Sequence, residues 1–318
     1  MRRIGGGAAG AAVFLLCLVT GCGTHQSSGN SLRSLPPVPP LRPGTVVPLD
    51  GYLPSPDAQA RSDRAQAALE RACLTRYGLR WEGPEESALD FGSRSIASKR
   101  AARLGVVDEG QAAQYGYHAP PWSTGHPGVR AAVAEHHHDT PAELNKVLYG
   151  LASQYGGQRV PTGGCRAEAA ARLMKGVPRV DRGLPGRLEQ QAAAASAKDP
   201  RLAAALRAWA SCMERAGYRY ASPKAAADDP RWEDASTATE EERAVALADV
   251  RCQNETRYLT TLIDVTAEHQ RELISRHATE LGRLKSFENT RARNVAEALS
   301  TEPTALSPSG GGERDSSP

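Results

Sequence analysis

The chain has 318 residues and a formal net charge of +3, of which Arg2 and Arg3 contribute two charges. The rest of the chain is nearly neutral, which excludes the basic surface that nucleic-acid binding requires. Aromatic residues make up only 5% of the sequence. No convincing series of alternating apolar strands is present, whereas helix signals recur throughout, so the sequence predicts an all-α fold.

The amino-terminal residues are typical of an export signal. Two arginines precede an apolar run, Ala8 to Val19, which is too short to span a bilayer as a permanent helix. The sequence Val-Thr-Gly-Cys at 19–22 resembles a bacterial lipobox. We therefore expect a signal peptide at 1–21 and a lipid anchor on Cys22, which places the mature chain on the outer face of the cell membrane. The alternative is an ordinary secretory signal with a chance cysteine.

Two segments are predicted to be disordered. Residues 22–56 are rich in Gly, Ser and Pro and have no apolar periodicity, so they cannot bury enough surface to offset the entropy lost on ordering. We expect them to form a tether. Residues 301–318 have a similar composition and are expected to form a tail.

Signals at both ends predict two helices in the middle of the chain. Thr140 forms a capping box ahead of a proline, and its helix is expected to continue to Gly156–Gly157. Asp199, also followed by a proline, starts a helix that is expected to end at Gly217. The apolar face of this second helix carries Leu202, Leu206, Trp209 and Met213.

A further capping box, Thr239 with Glu242, starts a helical pattern that contains one glycine, Gly282, and no proline before Leu299. A continuous helix of that length would extend about 90 Å, which is far longer than a compact domain of this size. We expect this segment either to fold back as a hairpin or to project from the domain.

The sequence contains one motif twice. CLTRYGLRWEGP, from Cys73, and CMERAGYRYASP, from Cys212, both fit Cys-x-x-Arg-x-Gly-x-Arg-(Trp/Tyr)-x-x-Pro. In each copy the cysteine lies on the apolar face of a helix, the arginine in its last turn and the glycine at its end. The motif predicts a duplicated helical domain, with copies at 57–182 and 183–300 packed as one unit.

Each copy of the motif is followed by one further cysteine, Cys165 or Cys252. Outside the membrane, four cysteines indicate disulfide bonds, although the sequence alone permits three pairings. The duplication favours Cys73 with Cys165 and Cys212 with Cys252. A four-thiolate metal site is the less favoured alternative, because the spacing contains no close cysteine pair.

Three stretches make the chain resemble a family of uncharacterised secreted and lipid-anchored helical proteins of high-GC actinobacteria. They are CMERAGYRYASP from Cys212, LYGLASQYGGQRVPTGGCRAEAAARL from Leu148 to Leu173, and ALADVRC from Ala246 to Cys252. The resemblance covers most of Asp63 to Leu299. It implies an envelope-associated, duplicated and helical protein, and it carries over no activity and no catalytic residue.

One histidine-rich stretch is a candidate for catalysis. It runs from His118 to Asp139 and also contains His126, Glu135, His136, His137 and His138. Imidazoles and carboxylates suit zinc binding or general acid–base chemistry, so a metal-dependent hydrolase is one hypothesis. Three consecutive histidines point in three directions on a helix, however, and the spacing of familiar zinc hydrolases is absent. The preferred interpretation is a polar helix end, and no catalytic residue, metal or cofactor is predicted.

The remaining candidates are aromatic, since nucleophile and phosphate-binding motifs are absent from the sequence. Tyr115, Tyr117 and Trp122 lie in a Gly/Pro-rich loop, where such rings either stack on a sugar or, more commonly, cover a helical core. We therefore expect a non-catalytic envelope module that binds a cell-wall polymer or an envelope protein. A solute-binding lipoprotein fits the anchor but not the fold, because such proteins usually have two α/β lobes.

Overall fold

The structure, a computed structural model, describes residues 35–40, 42, 44–81, 90–138, 141–233 and 235–301, except for the side chains of 135–138. Within these residues the chain forms twelve α-helices and one small hairpin, which confirms the all-α prediction. The elements are α1 (Pro56–Arg76), α2 (Phe91–Leu104), α3 (Glu109–Tyr115), α4 (Pro127–His138), α5 (Ala142–Leu148), β1 (Gln154–Tyr155), β2 (Gln158–Arg159), α6 (Gly164–Leu173), α7 (Leu184–Ser196), α8 (Pro200–Arg215), α9 (Pro223–Ala227), α10 (Glu240–Glu255), α11 (Tyr258–Arg276) and α12 (Ala278–Ser300). None of these described helices has both the length and the apolar character that a membrane crossing requires.

The helix predicted from Thr140 ends earlier than expected. Thr140 itself lies outside the described residues, and α5 ends at Leu148. Gly150, with φ +66°, turns the chain away because it lies against the start of α6: a Cβ atom there would be 2.5 Å from the amide nitrogen of Gly164. Gly156–Gly157, the predicted helix end, instead forms the turn between the antiparallel strands β1 and β2.

The carboxy-terminal region is broken into three helices, α10, α11 and α12. The first break is at Arg257, which has a left-handed conformation with φ +57°, and the second is at His277. Gly282 lies inside α12 and does not interrupt it. Because α11 packs against α7 and α8, and α12 packs against α1, the region folds back onto the domain.

Both copies of the repeated motif have the predicted conformation. Arg76 is the last residue of α1, and Arg215 is the last residue of α8. Gly78 and Gly217 follow with φ angles of +70° and +93°. The amide after each glycine donates to a carbonyl oxygen in the last turn of the helix, at 3.1 and 2.9 Å respectively. This is a helix end for which glycine is strongly favoured.

Both predicted disulfide bonds are present. The Cα atoms of Cys73 and Cys165 are 5.5 Å apart, and those of Cys212 and Cys252 are 5.6 Å apart. All four cysteines are buried. The first bond joins α1 to α6 and the second joins α8 to α10, so each connects the helix that carries the repeated motif to one later helix.

Each disulfide bond has an ion pair beside it, which the sequence analysis missed. Arg76 pairs with Glu168 at 2.7 Å, and Arg215 pairs with Glu255 at 2.8 Å. The sequence contains a signal for these ion pairs, because the second cysteine of each disulfide bond begins a Cys-x-x-Glu sequence. The pairs are solvent-exposed and each contributes at most about 1 kcal/mol. They show that the repetition extends to the partner helices α6 and α10.

The helices of the two predicted copies share their hydrophobic cores. One cluster of buried side chains surrounds each disulfide bond. Two more clusters join the copies: α12 packs on α1 and α6, and α10 packs on α3. The helices that carry these clusters therefore pack together as a single unit.

Part of the segment predicted to be a tether belongs to the folded domain. Pro48–Tyr52 forms a short 3-10 helix in which Leu49 and Asp50 are buried. The Leu49 amide donates to Gln270 Oε1 of α11 at 2.9 Å. The folded part of the chain therefore starts before residue 57. The predicted signal peptide, the predicted anchor and residues 302–318 lie outside the described residues.

Candidate functional site

A cleft of about 460 Å³ lies between the amino-terminal segment, α2, α3 and the loop that follows α3. Its apolar walls include Pro39, Pro40, Val46, Ala97, Ala101, Leu104, Val107, Tyr115, Pro120 and Trp122. Its polar lining includes Arg42, Thr45, Asp50, Arg100, Arg103, Asp108, Gln111 and Gln114. The volume falls within the range of about 300–1,000 Å³ that is usual for small-ligand sites.

Two of the three aromatic residues selected from the sequence line this cleft. Tyr115 is the last residue of α3, and Trp122 lies in the following loop. Nη1 of Arg94, in α2, donates to the Trp122 carbonyl at 3.1 Å and to the Pro36 carbonyl at 3.0 Å. Burial lowers the pKa of Arg94 below its usual value. This buried arginine ties both the amino-terminal segment and the Trp122 loop to α2.

Tyr117, the third aromatic residue, is used in the core. Its hydroxyl donates to Asp249 Oδ2 at 3.2 Å, and its ring stacks on that of Trp232 with the centroids 6.4 Å apart. Asp249 also accepts a hydrogen bond from Trp209 Nε1 at 2.9 Å. Burial raises the pKa of both Asp249 and Tyr117. The hydroxyl therefore serves to satisfy a buried carboxyl group of α10.

Charged side chains meet at the floor of the cleft. The Asp50 carboxylate accepts from Nη1 and Nη2 of Arg103, at 3.2 and 3.0 Å, and from the Val47 amide at 3.0 Å. Arg100 Nε lies 3.4 Å from Asp50 Oδ1. Glu189 of α7 accepts from Arg103 at 3.1 Å, and burial raises the pKa of Glu189. One buried carboxylate thus faces two guanidinium groups.

A second charged pair lies at the rim. Arg42 of the amino-terminal segment is 3.5 Å from Asp108, and it also donates to the Val107 carbonyl. Asp108 caps α3 by accepting from the Gln111 amide at 2.8 Å. Both charged side chains are about half exposed, so the pair contributes little stability. It nevertheless connects the amino-terminal segment to α3 across the cleft.

His118, the first residue of the histidine-rich stretch, makes a structural contact. Its Nδ1 lies 2.8 Å from Glu242 Oε1, and its Nε2 lies 2.9 Å from the Ala235 carbonyl oxygen. Both partners are acceptors, so both ring nitrogens donate when the imidazole is protonated. Burial acts to lower the pKa of His118, but the hydrogen bonds to Glu242 and Ala235 outweigh it, and the pKa is raised.

Glu242 connects the loop after α3 to the start of α10. It is fully buried and also accepts from the Tyr117 amide at 2.7 Å. Thr239 caps α10 as predicted, since its hydroxyl accepts from the Glu242 amide at 3.1 Å. The Glu242 carboxylate, however, is used to bind Tyr117 and His118. The predicted capping box is therefore only half formed, and its acidic residue instead joins the two copies.

His126 is the other histidine of the stretch whose side chain the structure describes. Nδ1 of His126 accepts from the Gly128 amide at 3.0 Å, at the start of α4. The side chains of Glu135, His136, His137 and His138, at the end of α4, and the whole of Asp139 lie outside the description. In the part of the chain that is described, no group of three or more His, Cys, Asp or Glu side chains could hold a metal ion. The contacts of His118 and His126 therefore give the hydrolase hypothesis no support.

The charged residues of the cleft were not predicted from the sequence. Asp50, Arg100 and Arg103 belong to no motif, and Asp50 lies in a proline-rich segment.

Comparison of the chain with known protein families, with curated proteins and with solved structures gives no match. The resemblance to the actinobacterial family stays a prediction.

Proposed function

We propose that this protein is a lipid-anchored, non-catalytic module of the cell envelope that binds a saccharide unit of a cell-wall polymer in the cleft. The observation that carries the proposal is the cleft itself, where aromatic rings, an apolar wall and a few polar side chains meet in a volume suited to a small ligand. Export and anchoring at Cys22 are inferred from the amino-terminal sequence.

The lining of the cleft matches the surface of a sugar. Tyr115 and Trp122 supply aromatic surface on which the C–H groups of a sugar ring can pack. Gln111 and Gln114 supply amide donors and acceptors for sugar hydroxyl groups, and Thr45 supplies a hydroxyl. A pocket that is mostly apolar, with a small number of polar groups, is the usual composition of a specific small-ligand site.

The cleft is also close to the predicted anchor along the chain. Cys22 and the first described residue, Leu35, are 13 positions apart, so the chain between them spans at most about 45 Å. Leu35 packs against Ala132, and the neighbouring Pro36 contacts the arginine that positions Trp122. Anchoring at Cys22 would therefore hold the cleft near the membrane surface, within reach of wall polymer.

Sedimentation with isolated cell wall tests this proposal. Full-length protein in detergent is mixed with increasing amounts of insoluble wall polymer, and the bound fraction is measured. Trp122→Ala is expected to weaken binding by about two- to tenfold, because the packing of one aromatic ring contributes roughly 0.5–1.5 kcal/mol. Tyr149→Ala is the matched control, since Tyr149 is 41% exposed and does not line the cleft; it should bind as the wild type does.

Two results would contradict the proposal. The first is an absence of sedimentation, or equal sedimentation of the Trp122→Ala variant and the wild type. The second comes from intact cells, with a photo-crosslinking residue in place of Tyr115. Capture of an envelope protein and no polymer would show that the cleft binds protein and that the saccharide assignment is wrong.

A further inference from the structure

The guanidinium group of Arg100 has fewer partners than its burial requires. Arg100 is 8% exposed and lines the cleft. Among the described residues it makes two polar contacts, both long: Nη2 lies 3.4 Å from the Asp50 backbone oxygen and Nε lies 3.4 Å from Asp50 Oδ1. Nε is buried without a hydrogen-bond partner. A guanidinium carries five N–H donors, and the only acceptor that the described residues offer Arg100 is Asp50, at these two long distances.

Asp50 pairs with Arg100 only through long contacts, because it is shared with closer donors. Its carboxylate already accepts from Arg103 at 3.0 and 3.2 Å and from the Val47 amide at 3.0 Å, all shorter than either contact of Arg100. The second carboxylate, Glu189, accepts from Arg103 at 3.1 Å. Buried donors without acceptors are costly. An acceptor group on a ligand in the cleft would remove that cost.

The sequence of α2 leaves space beside Arg100. Ala97, Arg100, Ala101 and Leu104 all line the cleft, and their spacing is that of one helix face. On this face Ala97 precedes Arg100 by three positions and Ala101 follows it directly. Because their side chains end at Cβ, they leave room next to the guanidinium group that larger residues would fill.

We infer that the ligand of the cleft is an acidic saccharide, whose carboxylate or phosphate group accepts hydrogen bonds from Arg100 while its ring packs against Trp122. This inference rests on the proposed function and adds the charge of the ligand to it. The planar fork of arginine binds either anionic group through two parallel hydrogen bonds. Carboxylate and phosphate offer the same chemistry to Arg100, and the experiment separates them.

Three related sugars provide the test: neutral N-acetylglucosamine, N-acetylmuramic acid with its carboxylate, and N-acetylglucosamine 1-phosphate. Their affinities for the full-length protein in detergent are measured by titration calorimetry. We expect at least one acidic sugar to bind about tenfold or more tightly than the neutral sugar, which is the gain expected of a charge-assisted hydrogen bond. The acidic sugar that binds more tightly identifies the anionic group.

Variants at Arg100 test the role of the side chain. Arg100→Lys keeps the positive charge but loses the planar fork. It should bind the preferred acidic sugar about tenfold more weakly and the neutral sugar as before. Arg172→Lys is the control, because Arg172 is an exposed residue of α6 outside the cleft. If circular dichroism shows that Arg100→Lys does not fold, the affinities of the wild type for the three sugars still test whether the ligand is acidic.

The outcomes separate this inference from the proposed function. Equal affinities for all three sugars would overturn the inference and leave the proposed function intact. So would an Arg100→Lys variant that folds and binds the acidic sugar as tightly as the wild type. If neither the sugars nor the wall polymer binds, the proposed function is wrong and the inference is wrong with it.

Discussion

Replacement of Leu49 by alanine tests whether the segment before residue 57 belongs to the fold. Leu49 is 0% exposed and packs in a cluster of buried side chains from α7, α11 and α12. Truncation of a buried leucine loses the transfer free energy of the side chain and leaves a cavity, at a cost of about 2–5 kcal/mol. We expect the free energy of unfolding to fall by about 3 kcal/mol, and the melting temperature by about 6–12 °C.

Leu151→Ala is the matched control for this prediction. It is the same substitution at a residue that is 73% exposed, where we expect a change of less than about 0.5 kcal/mol. Urea unfolding, followed by far-ultraviolet circular dichroism, measures both variants against the wild type. If Leu49→Ala costs no more than the control, the short helix Pro48–Tyr52 does not pack as described. The cleft would then lose its floor, because the same helix carries Asp50.

Two further predictions concern the disulfide bonds and His118. Loop-closure entropy predicts that replacing Cys73 and Cys165 by alanine costs about 4.6 kcal/mol and replacing Cys212 and Cys252 about 3.9 kcal/mol, because the bonds close loops of 92 and 40 residues. Urea unfolding in which the second loss is the larger would contradict this. The pKa of His118 is raised in the folded protein, so its stabilisation is complete below the unfolded pKa of about 6.5 and is lost as the pH rises through the folded pKa. The free energy of unfolding should therefore fall more from about pH 6 to about pH 9 in the wild type than in His118→Gln; equal falls would refute the contact.

The disulfide framework was predictable because its signals are local and occur twice. A helix end depends on a few neighbouring residues, and Gly78 and Gly217 mark the same end in both copies. The cysteines precede these glycines by five positions in each copy. The duplication predicts that the cysteine of each motif copy bonds with the next cysteine in the chain, and the structure has these two bonds. The ion pairs beside the bonds have an equally local signal, the Cys-x-x-Glu sequence that begins at Cys165 and at Cys252.

The helix breaks were not predictable, because they depend on contacts between distant residues. Arg257 has φ +57°, an uncommon conformation for a residue other than glycine. No proline or glycine marks this break or the one at His277. Both arise where α11 turns to pack on α7 and α8. The early end of α5 has a similar origin, since Gly150 meets the backbone of Gly164.

The prediction that the whole of 22–56 is a disordered tether was wrong, because it was based on average composition. Averaged over 22–56, the content of Gly, Ser and Pro hides a short stretch in which Val47, Leu49 and Asp50 are buried. This stretch is too short to show an apolar period. Its burial depends on surfaces provided by α7, α11 and α12, far away in the sequence. The floor of the cleft could not be predicted for the same reason.

The cleft lies where the two copies differ in length. The cysteines of the first copy are 92 residues apart and those of the second are 40 apart. The extra length of the first copy accommodates α2, α3 and α4. The cleft is built on α2, α3 and the loop after them, together with the amino-terminal segment. The repeated elements hold the disulfide bonds and their ion pairs, whereas Arg100, Tyr115 and Trp122 all belong to the unrepeated part.

The second copy then supports this unrepeated part of the first. Glu242 of α10 holds the loop after α3 through His118, and Glu189 of α7 holds Arg103 at the cleft floor. Glu242 is fully buried and Glu189 is partly exposed, and both contacts join helices of the second copy to the residues around the cleft. Loss of either carboxylate would leave the disulfide bonds in place and would change the cleft. The repeated elements hold the disulfide framework, and the side chains of the proposed binding site lie outside them.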